Sequence, residues 1–256
     1  LNFKPGFIIP VYRHGSTIEG VVNSLLHFAF PIIIIDDGND EQNKAQILEC
    51  AEKYPLVSLV SYSKNAGKGL AMSRGVKKAL EMGLTHVFQI DADGQHDCSA
   101  CQSFLELSQK HPEALINGYP EYDTSAPANR INGRKLSIFW TGIVSLNFSP
   151  ADVLCGFRIY PLKPYAKFLR RHALIHRRMG YDSDILVHYL WMGVPLFNLP
   201  VKVSYPKDGI SNFHIIKDNI AISLTFSRLF FGMILRLPKL IYFALKRKFN
   251  GKPDDK

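Results

Sequence analysis

Asp91 and Asp93 stand one residue apart at the end of an apolar run that begins at His86, and Gly94 follows them at once. Paired carboxylates delivered by a strand end suit a hard divalent cation, Mg²⁺ or Mn²⁺, which takes one or two of them and leaves its other positions to water and substrate phosphates. The same residues also spell an ordinary turn, so the pair needs company before it means chemistry. Asp36 and Asp37, again before a glycine, close the apolar run 31–35; Lys68 sits between two glycines in Asn65-Ala-Gly-Lys-Gly69; Asp182 and Asp184 open a later apolar stretch. A cation and a lysine can neutralise a leaving diphosphate, and a carboxylate facing them can take a proton from an attacking hydroxyl. Asp182 and Asp184 also have a purely structural use, as negative charge at a helix N-terminus.

The elements that must position these groups alternate along the chain. Residues 7–12, 31–37, 56–62, 86–90 and 114–117 read as strands, and Pro31-Ile-Ile-Ile-Ile35 is continuously apolar, as in a parallel strand buried on both faces. Ser16-Thr-Ile-Glu19 has the form of a capping box, so a helix should open there, with further helices over 40–53, from the glycine-lysine stretch through 82, and over 97–111. This order predicts an α/β fold, a Rossmann-like, mostly parallel sheet flanked by helices. Pro10-Val11-Tyr12, Asp36-Asp37-Gly38 and Asp91-Ala-Asp93 then emerge at one edge, where open α/β sheets bind ligands. Gly67-Lys-Gly69 meets neither the dinucleotide nor the Walker pattern; Lys68 and the amides near it suit a diphosphate or nucleobase at a helix start. Arg130 and Arg134 sit where contacts to phosphate or carboxylate would be useful.

The chain has 256 residues, 46% apolar and 21% charged, which is ordinary globular composition. Its four cysteines make no disulfide framework at this length and no signal segment precedes Phe7, so a reducing, cytoplasmic setting is expected. Net charge is +9, and residues 219–253 contain no acid. If 228–245 is helical, Arg228, Arg236, Lys239 and Lys246 share one side, apolar residues fill most of the rest, and Pro238 should kink or divide the helix. No stretch there reaches the ~20 apolar residues of a membrane span. The expectation is a C-terminal amphipathic segment at an anionic membrane surface for 237–249, whereas 220–232 could equally pack on the domain. Acidic residues at the strand ends argue against a nucleic-acid partner.

Ile9-Pro-Val-Tyr12, Asp36-Asp37-Gly38, Asn65-Ala-Gly-Lys-Gly69, Asp91-Ala-Asp-Gly-Gln-His96, Asp152-Val-Leu-Cys-Gly-Phe-Arg158 and Tyr181-Asp-Ser-Asp184, in this order over residues 7–215, resemble the family 2 glycosyltransferases of the GT-A fold. The first half is similar to polyprenyl-phosphate sugar synthases. Residues 205–214 and Arg228-Leu-Phe-Phe-Gly232 look more like a bacterial subgroup met beside acyltransferases in lipid-linked pathways. The resemblance implies a GT-A domain over 1–215, with a nucleotide-binding half over 1–117 and an acceptor half over 118–215; the basic amphipathic helices read from charge and spacing then occupy 216–256. It implies inverting, metal-dependent transfer of a sugar from a UDP- or GDP-sugar to a lipid or polyprenyl-phosphate acceptor, which the basic tail would place at the inner face of the cell membrane.

Residue by residue, the resemblance implies that Asp36 or Asp37 accepts from a nucleobase N–H while Pro10 and Tyr12 wall the base. Asp93 would hold Mn²⁺ or Mg²⁺, and Asp91 the ribose or the same metal. Lys68 would meet the diphosphate; Gln95 and His96 would touch sugar or phosphates. Asp152, Gly156, Phe157 and Arg158 would line the acceptor side, and Asp182 or Asp184 would be the catalytic base. A sugar nucleotidyltransferase would share the sheet and metal but needs a glycine- and basic-rich first loop, of which Pro10-Val-Tyr-Arg-His-Gly15 is a poor version. The other alternative is a non-catalytic basic membrane-binding adaptor on a degenerate transferase fold.

Overall fold

The computed structural model describes residues 3–122, 128–170, 176, 178, 180–204 and 215–249. Its first half repeats one unit: β1 (Pro5–Val11) leads to α1 (Gly15–Leu25), β2 (Ile32–Asp37) to α2 (Glu41–Lys53), and β3 (Val57–Tyr62) to α3 (Lys68–Glu81). β4 (His86–Gln89) leads through a 3₁₀ turn at Cys98–Ala100 to α4 (Cys101–Lys110). Then β5 (Leu115–Tyr122), α5 (Ala128–Ser145), β6 (Arg158–Pro161), α6 (Leu162–Arg170), α7 (Tyr181–Trp191) and β7 (Leu196–Val203) precede α8 (Ile215–Ile234) and α9 (Leu237–Phe249).

Strand side chains alternate between faces, and here both faces are covered. Phe7, Ile9 and Val11 of β1 join Ile32 and Ile34 of β2 under α1, α2 and α4, whereas Ile8, Ile33 and Ile35 pack against α3, α6 and α7. That is why the isoleucine run carries no polar alternation: each of these side chains contributes about 1.5–3 kcal/mol by leaving water. Among the described residues the seven strands form one sheet in the order β3-β2-β1-β4-β6-β5-β7, in which β6 alone runs against its neighbours. The halves expected at 1–117 and 118–215 therefore meet within the sheet, through β4 and β6. Strand order reverses between β1 and β4, and a ligand crevice belongs at the C-terminal ends of those two strands.

Local expectations fail where a distant partner replaces a near one. The capping box does not form: α1 starts at Gly15, and no side chain caps it from His14. The Thr17 hydroxyl instead donates to Ala92 O at 2.6 Å, tying α1 to the loop after β4, and Glu19 accepts from Lys53 at 2.6 Å. The helix expected over 97–111 begins as the 3₁₀ turn, with Asp97 accepting from Ser99 N at 2.9 Å. The tail divides as Pro238 requires, α8 and α9 meeting at 87°.

His86 offers a check on the core. Its Nε2 lies 2.7 Å from Pro112 O and its Nδ1 2.9 Å from the Thr85 hydroxyl, and burial pushes the ring below the ordinary histidine value despite the Pro112 carbonyl. The unfolded chain therefore binds more protons, so this contribution is complete above about pH 6.5 and is lost as pH falls toward the folded value. The melting temperature should hold from pH 8 to 7 and decline below about 6.5, with His86→Gln making that decline shallower.

Candidate active site

At the reversal point between β1 and β4 the Lys68 ammonium lies 2.8 Å from Asp91 Oδ1 and 2.9 Å from Asp182 Oδ2. Three distant stretches thus converge on one cation: the first residue of α3, the loop after β4, and the start of α7. Asp182 is braced a second time, its Oδ1 accepting from Gln89 Nε2 at 2.9 Å, while Gln89 Oε1 accepts from the Tyr160 hydroxyl at 3.1 Å. Burial alone would lower the Lys68 value, but Asp182 and Asp91 outweigh it and hold the ammonium above its ordinary range. Asp91, which burial would raise, is held below the usual carboxylate range by Lys68. Gly156 backs this cluster: a Cβ there would collide with the Asp91 carboxylate, so only glycine lets the backbone come this close.

The acidic pair ending β2 works differently. Asp37 accepts from the amides of Ala66 at 3.1 Å and Gly67 at 2.7 Å, and from Asn65 Nδ2 at 3.0 Å. Its carboxylate thereby occupies the amides expected for an outside diphosphate and sets the loop that delivers Lys68. Asp36 Oδ1 accepts from Asn39 N at 3.0 Å and Asn39 Nδ2 at 2.7 Å, and Asn39 Oδ1 in turn accepts from Arg13 N at 2.6 Å. This pins the turn after β1, where Pro10 and Tyr12 are half-buried and Arg13 adopts φ 63°. Gly38 is obligatory, since its φ of 73° and the adjoining Lys64–Asn65 backbone leave no room for a side chain.

Other expected residues lie beneath or away from the crevice. Asp152 caps its own turn, accepting from Leu154 N at 2.8 Å, Cys155 N at 2.6 Å and Arg134 Nη1 at 2.7 Å. Phe157 is fully buried, with its ring centroid 4.7 Å from that of Phe88 and 5.0 Å from that of Phe104. Arg158, also fully buried, donates to Asn117 Oδ1 at 2.6 Å and to the Asp182 carbonyl at 2.5 Å, so it holds the backbone of α7. Asp184 has no exposure and turns to the C-terminal helices, accepting from Arg228 Nη2 at 2.5 Å and lying 3.2 Å from His188 Nδ1. The side chain of Arg130 and the stretch 205–214 lie outside the described residues.

Asp93 lies beside this cluster, half-buried, with Oδ1 accepting from Gln95 N at 3.0 Å. Gln95 is half-buried too, and its carbonyl accepts from Ser204 N at 3.0 Å. The His96 ring is pushed down by burial against the opposing charges of Asp91 and Asp93, and its buried Nδ1 has no hydrogen-bond partner. Among the described residues no three His, Cys, Asp or Glu side chains converge on one point. Asp93, half-buried and two residues from Asp91, can offer carboxylate oxygen to a hard cation that takes one or two carboxylates and completes its shell with water and phosphate. Gln89, Asn39, Asn117 and Tyr160 were not anticipated as parts of the site; the one sequence signal was Gln89, polar inside a buried strand just before two carboxylates.

Residues 7–173 match the sequence model described as "Glycosyl transferase family 2". A dolichyl-phosphate beta-glucosyltransferase of Trichomonas vaginalis is 24% identical over 213 residues, which are 76% of this chain and 64% of the relative. A UDP-N-acetylglucosamine–dolichyl-phosphate N-acetylglucosaminyltransferase of Methanococcus voltae is 33% identical over 102 residues, 35% of this chain and 41% of the relative. The chain thus spans less than two thirds of the length of either. In fold it is similar to glucosyl-3-phosphoglycerate synthase from Mycobacterium tuberculosis, solved in complex with Mn²⁺, UDP-glucose and phosphoglyceric acid: TM-score 0.65 at 13% identity, covering 91% of this chain and 80% of that one.

Proposed function

The chain belongs to glycosyl transferase family 2, and on that premise we propose that it moves a sugar from a nucleoside-diphosphate donor to a lipid-carried phosphate at the inner face of a membrane. The observation that carries this is Lys68, a desolvated ammonium shared by Asp91 and Asp182 at the C-terminal end of β4. The dolichyl-phosphate relatives support the acceptor class, and the nucleotide-bound structural neighbour supports the donor class.

Pro10 and Tyr12 wall the base, and Asp36, already fixed through one oxygen by Asn39, offers the other to a base N–H. Mn²⁺ or Mg²⁺, held by Asp93 with Asp91 alongside, would supply charge to the departing diphosphate. Lys68 adds a second, pre-oriented positive charge there. Gln95 and His96 face the sugar and phosphates. An acceptor phosphate oxygen attacks the anomeric carbon from the side opposite the diphosphate; the carbon–oxygen bond to the diphosphate breaks, its electron pair leaves with the diphosphate, and the configuration inverts.

An anionic acceptor brings its own nucleophile and needs no base. That agrees with Asp182, both of whose oxygens already have cationic or N–H partners, and makes it a positioning residue for Lys68. Its place on the crevice side of α7 favours a second reading, in which a hydroxyl acceptor gives its proton to Asp182.

The test is thermal. Mn²⁺ with UDP or GDP should raise the melting temperature more than either alone, as ligands that bind only the folded chain must, and Asp93→Ala should abolish the joint shift. No shift with any nucleoside diphosphate would refute the donor assignment.

A further inference from the structure

The inner faces of α5, α8 and α9 meet in one apolar cluster that includes Val144, Phe226, Leu229, Met233 and Leu240. Their outer faces are apolar as well, which packing does not require. On α8, Leu224 and Phe231 are 65% and 67% exposed and, seven residues apart, share one side. Tyr242 and Leu245 of α9, and Phe139 and Trp140 of α5, are also exposed. Arg247 Nη2 donates to Leu146 O at 2.6 Å, which joins the end of α9 to the end of α5. Among the described residues no single helix is long and apolar enough to cross a membrane.

Charge identifies what covers this surface. Residues 124–151 and 219–253 contain no Asp or Glu, while Lys135, Arg236, Lys239, Lys246 and Lys248 lie among them. Two copies of the chain apposed through this face would set cations against cations; an anionic bilayer meets both the apolar side chains and the cations around them.

We infer that the outer faces of α5, α8 and α9 together form a seat for an anionic phospholipid bilayer. This deepens the reading of a lipid-carried acceptor, and it places the contact on three helices instead of on 237–249 alone. The seat is also fastened to the crevice: Arg228 of α8 holds Asp184, two residues beyond Asp182.

Flotation of the full chain with vesicles of phosphatidylcholine, with and without phosphatidylglycerol, tests it. Binding should be at least about tenfold stronger with phosphatidylglycerol and should weaken in high salt. Leu224→Ser with Phe231→Ser, and separately Phe139→Ser with Trp140→Ser, should each lower partitioning about tenfold or more, since each pair withdraws two large side chains from the bilayer. Lys239→Glu with Lys246→Glu should remove the preference for phosphatidylglycerol. Melting temperatures should be unchanged for the α8 pair and the lysine pair, whose side chains are exposed, and the α5 pair is compared at equal folded fraction, since Trp140 is 39% exposed. Equal binding to neutral vesicles, partitioning unaffected by the α5 and α8 pairs, or a dimer in solution that those pairs dissociate would each overturn the inference. Flotation is independent of donor binding, so loss of the nucleotide response with flotation intact would count against the proposed function and leave the seat standing.

Discussion

Lys68→Met should lower the rate of sugar transfer about 10²- to 10³-fold, the scale for removing one pre-oriented charge from a developing anion. Methionine keeps the length and apolar stem of the side chain, so the loss reports the ammonium. It also leaves Asp91 and Asp182, 25% and 7% exposed in their side chains, facing each other without a cation. Breaking a buried pair this way costs about 3–5 kcal/mol, and the exposure of Asp91 argues for the lower end. The pH dependence separates this from a packing defect. Lys68 is raised, so its contribution is present below its unfolded value near 10.4 and lost only as pH rises through the folded one; Asp91 is lowered, so its contribution is present above about 3.9 and lost as pH falls through its folded value. Urea unfolding should therefore show its widest gap between wild type and Lys68→Met near pH 8, narrowing in acid as the facing carboxylates of the variant take up protons. A gap that does not change with acid would mean that packing, not charge, was lost.

Asp182→Asn should reduce kcat about 10²-fold, the effect of misplacing a reacting-site group by about an ångström, and should leave the acid limb of the pH–rate profile in place. Asp182 shares Lys68 with Asp91, and an amide in its place still reaches Gln89 but no longer fixes the ammonium. If Asp182 instead accepts a proton from a hydroxyl acceptor, the loss should run to about 10⁴-fold and the acid limb should disappear. Asp184→Asn provides the control. It loosens Arg228 and so lowers the melting temperature, yet it should move kcat far less than Asp182→Asn, because Asp184 touches α8 and not the crevice.

The contrast between those two aspartates shows where reading the chain stops. Both open the same helix, two residues apart, and negative charge at a helix start explains either one equally. Residues two apart on a helix project to nearly opposite sides, but which side meets Lys68 depends on how α7 is rolled. That roll comes from Arg158 gripping the Asp182 carbonyl and Arg228 gripping Asp184, partners 24 and 44 residues distant. Asp37 is similar. Its position beside a glycine at a strand end is plain in the sequence, but its bonds to Ala66 and Gly67 arise only because β2 and β3 are adjacent.

By itself the sequence determined the alternation of strands and helices, the burial of β2 on both faces, the division of the tail at Pro238 and the delivery of three loops, two of them acidic, to one edge. Those follow from side-chain periodicity and chain punctuation, which act over a few residues. Only the tertiary structure decided that Asp182 and not Asp184 joins Asp91 around Lys68, that Asp37 and Asp152 serve their own loops, that Gly156 makes room for a carboxylate, and that α5 shares its exposed apolar character with α8 and α9. Each of those depends on groups dozens of residues apart meeting in space, and pattern along a chain carries no record of such meetings.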